Sequence, residues 1–178
     1  MGHKHSKEEI LDGALAVAFD DGLSRLTFGR VANRLGISDR VVVYYFPTKD
    51  DLVSEVVLAM GLQLQETLAA AFGAPATDHI ELLRVAWPVL ADERVDPVFA
   101  LFFEANGLAV AGRTPYATLV PALVEAWITW LEDFIDATPS RRRTEAETAI
   151  AVVDGLILLR LLAGPDAAER SARRLGIR

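Results

Sequence analysis

Cysteine is absent from the 178 residues, which removes disulfides, thiolate metal sites and cysteine nucleophiles together. Histidine is nearly absent too: His3 and His5 stand close to the amino terminus, and His79 stands alone. His3 and His5 hold the donor types of an amino-terminal copper or nickel chelate, but a pair in that position reads as a solvated tail. No ligand spacing surrounds His79, so neither a metal nor a cofactor is expected. Long uncharged runs are also missing. The longest stretches free of Asp, Glu, Lys and Arg are eleven residues, at 67–77 and 114–124. A bilayer span takes about 20, so no membrane partner is expected. The opening residues lack the apolar segment of a secretory signal, which makes an intracellular location the expectation.

What the chain does have is apolar content, 52% of residues with a mean hydropathy of +0.26, beside a net charge of -7. With no membrane to receive it, that apolar surface must be buried against protein. The charge is uneven. Residues 1–50 carry seven basic and seven acidic side chains, whereas residues 51–178 carry 11 and 18. Only the N-terminal third can approach a polyanion without strong repulsion.

Helix signals run the length of the chain. Ser6 and Glu9 have capping-box spacing, and Ile10, Leu11, Ala14, Leu15 and Ala18 follow on one helical face, with Gly22 as the stop. Phe28, Val31, Ala32 and Leu35 mark a short second helix that Gly36 ends. Ser38 can cap a third, although Val41 to Phe46 are six β-prone residues in succession. A strand here would have no partner for its backbone groups, and helix signals flank it, so the run is assigned as helix. Thr48 and Asp51 open a long amphipathic helix ending near Phe72. Further helices are expected near 78–92, 97–111, 116–136, 142–163 and 166–175, with Pro121 kinking or delaying the third of these. The expected fold class is all-α.

Residues 28–46 thus form a short helix, a Gly-containing turn and a second short helix, the spacing of a helix-turn-helix. Leu26-Thr27, Val31-Ala32, Leu35-Gly36-Ile37-Ser38, Tyr44-Tyr45-Phe46 and Lys49-Asp50-Asp51-Leu52 resemble the DNA-binding domain of the TetR-family transcriptional regulators, over roughly residues 7–55. The remainder is similar in its helical layout and in Asp154-Gly155-Leu156. The resemblance implies a DNA-binding domain at 1–50 and an effector-binding and dimerisation domain at 51–178, connected by the helix 48–72. It implies a homodimeric, bacterial, cytoplasmic repressor whose partners are a double-stranded palindromic operator and a small, largely apolar effector that releases it. The alternative is a TetR-like ligand-binding protein or co-regulator with lost or altered DNA recognition.

A recognition helix places its N-terminal residues against base edges in the major groove, so Ser38, Asp39, Arg40, Val41, Val43 and Tyr44 are the candidates. Arg40 can pair with guanine or neutralise phosphate. Val41 or Val43 can meet a thymine methyl, and Asp39 can accept from cytosine or repel phosphate. Thr27, Tyr44, Tyr45 and Lys49 suit backbone contacts, with Tyr45 equally suited to packing. Two positions depart from the resemblance: Arg40 stands where a small residue is usual, and Val43 where an aromatic is. Val42, Phe46, Phe28, Val31 and Leu35 are assigned to the core.

The segment 149–163 is apolar nearly all round, with only Asp154 and Arg160 charged. Such a helix must be covered on several sides. A two-fold four-helix seam follows, formed by Leu123, Leu131, Ile150, Val153, Gly155, Leu156, Ile157 and Arg160. Trp87, Phe99, Phe102, Phe103, Tyr116, Trp127 and Trp130, with Asn106 as a polar anchor, are candidate effector contacts or ordinary core. Glu104 reads as a solvated or salt-bridged carboxylate, and Arg141-Arg142-Arg143 as a solvated run. No nucleophile is paired with a base, so an enzyme is not expected.

Overall fold

The computed structural model describes residues 5–178; His3 lies outside them. Helix α1 (Lys7–Asp21) starts from the expected capping box, with Ser6 Oγ accepting from the Glu9 amide at 3.2 Å and Glu9 accepting from the Ser6 amide at 3.1 Å. Its inward face is Ile10, Ala14, Val17 and Ala18. A single 3₁₀ turn (Leu23–Arg25) leads to α2 (Phe28–Leu35), capped by Thr27 and closed by Gly36 in the left-handed region at φ 66. Helix α3 (Asp39–Tyr45) follows, and α4 (Lys49–Ala71) opens on the Thr48–Asp51 capping box.

The β-prone run is therefore helical, and its periodicity shows why. Val42 and Phe46 stand four apart and are fully buried with Val31, Ala32, Leu52, Val53 and Val56, while Val43 and Tyr44 stay exposed. Burial of one face outweighs a propensity difference of a few tenths of a kcal/mol per residue. Phe28 and Leu35, assigned to the core from their spacing, are only half-buried.

Five more helices complete the described chain: α5 (His79–Leu90), α6 (Asp96–Val110), α7 (Tyr116–Glu132), α8 (Pro139–Ala163) and α9 (Pro165–Arg174). Pro121 lies inside α7 without delaying its start. Helix α7 stops four residues before the expected end. The Ala76 amide donates to the Phe134 carbonyl and the Asp136 amide donates to the Ala76 carbonyl, both at 2.8 Å. Two extended segments thereby satisfy backbone groups that a longer helix would have left orphaned near Pro75. Helix α8 begins three residues before the expected start, on Pro139 at its first turn, where a missing amide costs nothing.

By packing, the chain divides into two units: the chain up to Gln63 with Ala100–Pro121, and Leu64–Phe99 with Ala122–Arg178. In the first, α2 packs on both α1 and α3. In the second, α8 packs on α5 and α9, burying Leu82, Leu83, Ala86 and Trp87 with Ala149, Leu156, Ile157, Ala168 and Ala172. None of the described helices is long and apolar enough to cross a membrane.

Candidate nucleic-acid interface

The outward face of α3 is built by the same periodicity that fixes its inward face. With Val42 and Phe46 buried, Asp39, Arg40, Val43 and Tyr44 are turned to solvent; Tyr44 is 75% exposed and Val43 39%. Ser38 occupies the N-cap and is exposed, but its hydroxyl makes no capping bond. Val41 is half-buried. Asp39, Arg40, Val43 and Tyr44 thus form one solvent-facing surface of α3.

Basic side chains around this face fall into two groups. Arg30 and Arg34 of α2 are committed to Asp21 and Asp20 at the end of α1. Two carboxylates at a helix C-terminus oppose the helix dipole, and the arginines offset them. Arg25, Arg40 and Lys49 make no ion pair among the described residues and are exposed. The cations available to a phosphate backbone are few and placed.

Two other candidates have structural duties. Thr27 Oγ1 accepts from the Arg30 amide at 3.3 Å, capping α2. Tyr45 donates its phenolic proton to the carbonyl oxygen of His5 at 2.7 Å and meets Tyr44 edge-on at 4.9 Å between centroids. Tyr45 is thereby tied to the segment before α1.

The aromatic candidates of the C-terminal region sort by unit. In the first, Phe102 and Phe103 lie 5.8 Å apart, Tyr116 is buried, and Asn106 Oδ1 is buried with no hydrogen-bond partner among the described residues. In the second, Trp127 and Trp130 stack edge-on at 5.2 Å and Trp130 meets Phe134 and Phe72 at 4.8 and 5.9 Å. Trp87 and Phe99 are buried, and the Trp87 indole donates to Glu169 of α9 at 3.2 Å. Among the described residues no group of three or more His, Asp or Glu is placed to hold a metal ion.

Of the seam candidates, Leu131, Leu156 and Ile157 are buried within the single chain, while Leu123, Ile150 and Val153 are half-buried. Arg160 is engaged inside the chain by Asp96, Nε to Oδ1 at 2.6 Å. The face of α8 left open is Ala151, Gly155, Leu158 and Leu162, one stripe at i, i+4, i+7 and i+11. Leu158 and Leu162 were not picked out by sequence.

Five side chains without an assigned partner in the sequence have one in the structure. Glu104, half-buried, accepts from the Leu23 and Ser24 amides and the Ser24 hydroxyl. His79 faces Glu145, its ring Nδ1 at 2.6 Å and its amide donating at 2.9 Å. The arginine run is not free in solvent: Arg141 pairs with Glu145, Arg142 donates to the Ala137 carbonyl, and Arg143 bridges Glu125 of α7 and Glu147. The partners of Glu104 and His79, and Glu125 for Arg143, are distant in sequence, whereas Arg141–Glu145 and Arg143–Glu147 are pairs four apart on α8.

The described residues form a helix-turn-helix with an exposed α3 face, followed by an all-helical remainder. The profile of the family "Bacterial regulatory proteins, tetR family" matches residues 10–56. The HTH-type transcriptional regulator BetI of Rhizobium meliloti is 25% identical over 166 residues, covering 93% of this chain and 70% of that protein. A transcriptional regulator from Rhodococcus sp. Rha1 superposes with a TM-score of 0.74 at 23% identity, covering 97% of this chain and 94% of its own. The multidrug binding protein EbrR, solved with proflavin, superposes at 0.69 with 26% identity and 96% of each chain covered. Residues 10–56 thus match the DNA-binding domain of the TetR family, and the chain is similar along most of its length to regulators that carry that domain.

Proposed function

We propose that this regulator is a homodimeric repressor that binds a palindromic operator and is released by a small, largely apolar effector. The observation that carries the reading is the division of α3 into a buried face, Val42 and Phe46, and an exposed face of Asp39, Arg40, Val43 and Tyr44. Residues 1–50 are the reader and 51–178 the effector-binding and dimerisation region. Ser38, Asp39, Arg40, Val41, Val43 and Tyr44 meet base edges; Thr27, Tyr44 and Lys49 lie along the backbone, with Tyr45 holding its hydroxyl on His5 and offering only its ring edge. Two recognition helices of a dimer enter successive major grooves about 34–36 Å apart. The open stripe of α8, with Gly155 admitting close approach, supports the seam.

For the effector, the buried and unpartnered Asn106 Oδ1 beside Phe102 and Phe103 is an acceptor awaiting a donor. A ligand with an aromatic body and an N–H or O–H group would satisfy it. EbrR, which is similar over 96% of each chain, has been solved with proflavin. Selection of bound duplexes from a random pool, followed by anisotropy titration with and without aromatic amines such as proflavin, tests both halves. Enrichment of an inverted repeat, and its release by such a compound, is the expected outcome. Recovery of no preferred sequence at low salt would refute the repressor reading.

A further inference from the structure

The carboxylate of Glu104 in α6 is the acceptor for the 3₁₀ turn that follows α1. Oε2 takes the Leu23 amide at 2.9 Å; Oε1 takes the Ser24 amide at 2.8 Å and the Ser24 hydroxyl at 2.5 Å. Burial alone would raise the Glu104 carboxyl, but the hydrogen bonds from Ser24 and Leu23 outweigh it and hold it below the ordinary range. Bonds to an ionised acceptor are the strong class.

The turn is shaped for this acceptor. Gly22 sits at φ 87, and a Cβ there would lie 3.0 Å from Glu104 Oε2. Both the backbone conformation and the carboxylate exclude a side chain at that position. Leu23 and Leu26, on either side of the clasped amides, are fully buried. Thr27 then caps α2, which packs on α3. Only the short segment from Ser24 to Thr27 separates the clasp from the first turn of the helix-turn-helix.

On α6 itself, Asn106 lies two residues beyond Glu104, about 160° around the helix at 3.6 residues per turn. One rigid helix therefore presents the clasp on one side and the orphaned Asn106 acceptor nearly opposite. Tyr116 and Asp50 share the neighbourhood: burial, then the charges of Glu104 and Asp50, push the Tyr116 phenol up to about 12.

We propose that Glu104 is a positioning residue that couples α6 to the helix-turn-helix: while its carboxylate holds Leu23 and Ser24, α2 and α3 keep the operator-reading arrangement, and displacement of α6 breaks the hold. The proposal rests on the repressor reading above.

Glu104→Gln keeps the side-chain shape but loses the charge and turns donors toward donors. Hydrogen exchange of the free protein should quicken at Leu23 and Ser24 and, through α2, in α3, while circular dichroism keeps the helical content. Operator affinity should fall about tenfold or more. Ser24→Ala, which removes the hydroxyl donor and keeps both amides, should do the same by about two- to threefold and serves if Glu104→Gln does not fold. Faster exchange confined to residues 22–26 with operator affinity unchanged would make the clasp merely structural and overturn the coupling. If the wild-type chain selects no DNA sequence, the repressor reading falls instead, and exchange in α2 and α3 alone then decides: propagation upholds the coupling, confinement refutes it.

Discussion

Tyr45 hydrogen-bonds through its hydroxyl to the carbonyl oxygen of His5, 2.7 Å away, so a residue of the recognition helix is anchored to the segment just before α1. Tyr45→Phe removes that one bond and keeps the ring. It should lower unfolding free energy by about 1 kcal/mol and leave the salt dependence of operator binding unchanged. Urea melts beside anisotropy titrations at several salt concentrations check both. A loss of operator affinity at every salt concentration would place the neutral hydroxyl on phosphate instead.

Arg40 and Lys49 are exposed and make no ion pair among the described residues, but they should respond differently. Arg40→Ala should weaken the preferred operator by about 1–3 kcal/mol and relax the preference at one base pair of each half-site. Lys49→Ala should weaken all sequences alike and lower the salt slope by about 1 per chain. Titrating both variants on operator and single-substitution duplexes separates the two roles.

The phase of α3 can be tested by two adjacent valines. Val42 is fully buried whereas Val43 is 39% exposed. Val42→Ala should destabilise by about 1–3 kcal/mol, and Val43→Ala should stay within about 0.5 kcal/mol while altering operator preference. Equal losses in denaturation would contradict the assigned phase.

This phase was legible in the sequence once the run from Val41 to Phe46 was assigned to a helix, because buried positions four apart must share a face. The caps at Ser6 and Thr48 were equally legible, since capping is decided within four residues. Glu104 was not: its donors at Leu23 and Ser24 lie eighty residues away, and a lone Glu among Phe residues has no spacing to reveal a partner. The end of α7 was lost for a related reason. Its periodicity continues through Phe134 and Ile135, and only pairing with Ala76 turns those residues from helix to extended chain. Arg160 was read as a seam residue from its position on an apolar helix, whereas Asp96, at the start of α6, takes its charge within the chain.

Asp154 sits partly buried on α8, and burial pushes its carboxyl up to about 6. Its folded value is thus above the unfolded one near 4. The group favours the fold fully below pH 4, and the contribution is lost as pH rises through 6. At pH 7.5 Asp154→Asn should therefore stabilise the protein by about 1–2 kcal/mol, allowing for solvent that still reaches the group. The pH dependence of unfolding between 4 and 7 should flatten. Thermal melts across that range check it; a variant destabilised at pH 7.5 would mean that the carboxylate has a partner in the assembled protein.

The central claim is that two copies of this chain present two α3 helices to one palindromic site. Native mass spectrometry of the protein with its selected operator tests it most directly. The account predicts two chains per duplex, with loss of the complex on replacing Arg40 and Tyr44 by alanine while the free protein remains a dimer. One chain per duplex, or an undiminished complex with both side chains removed, would contradict it.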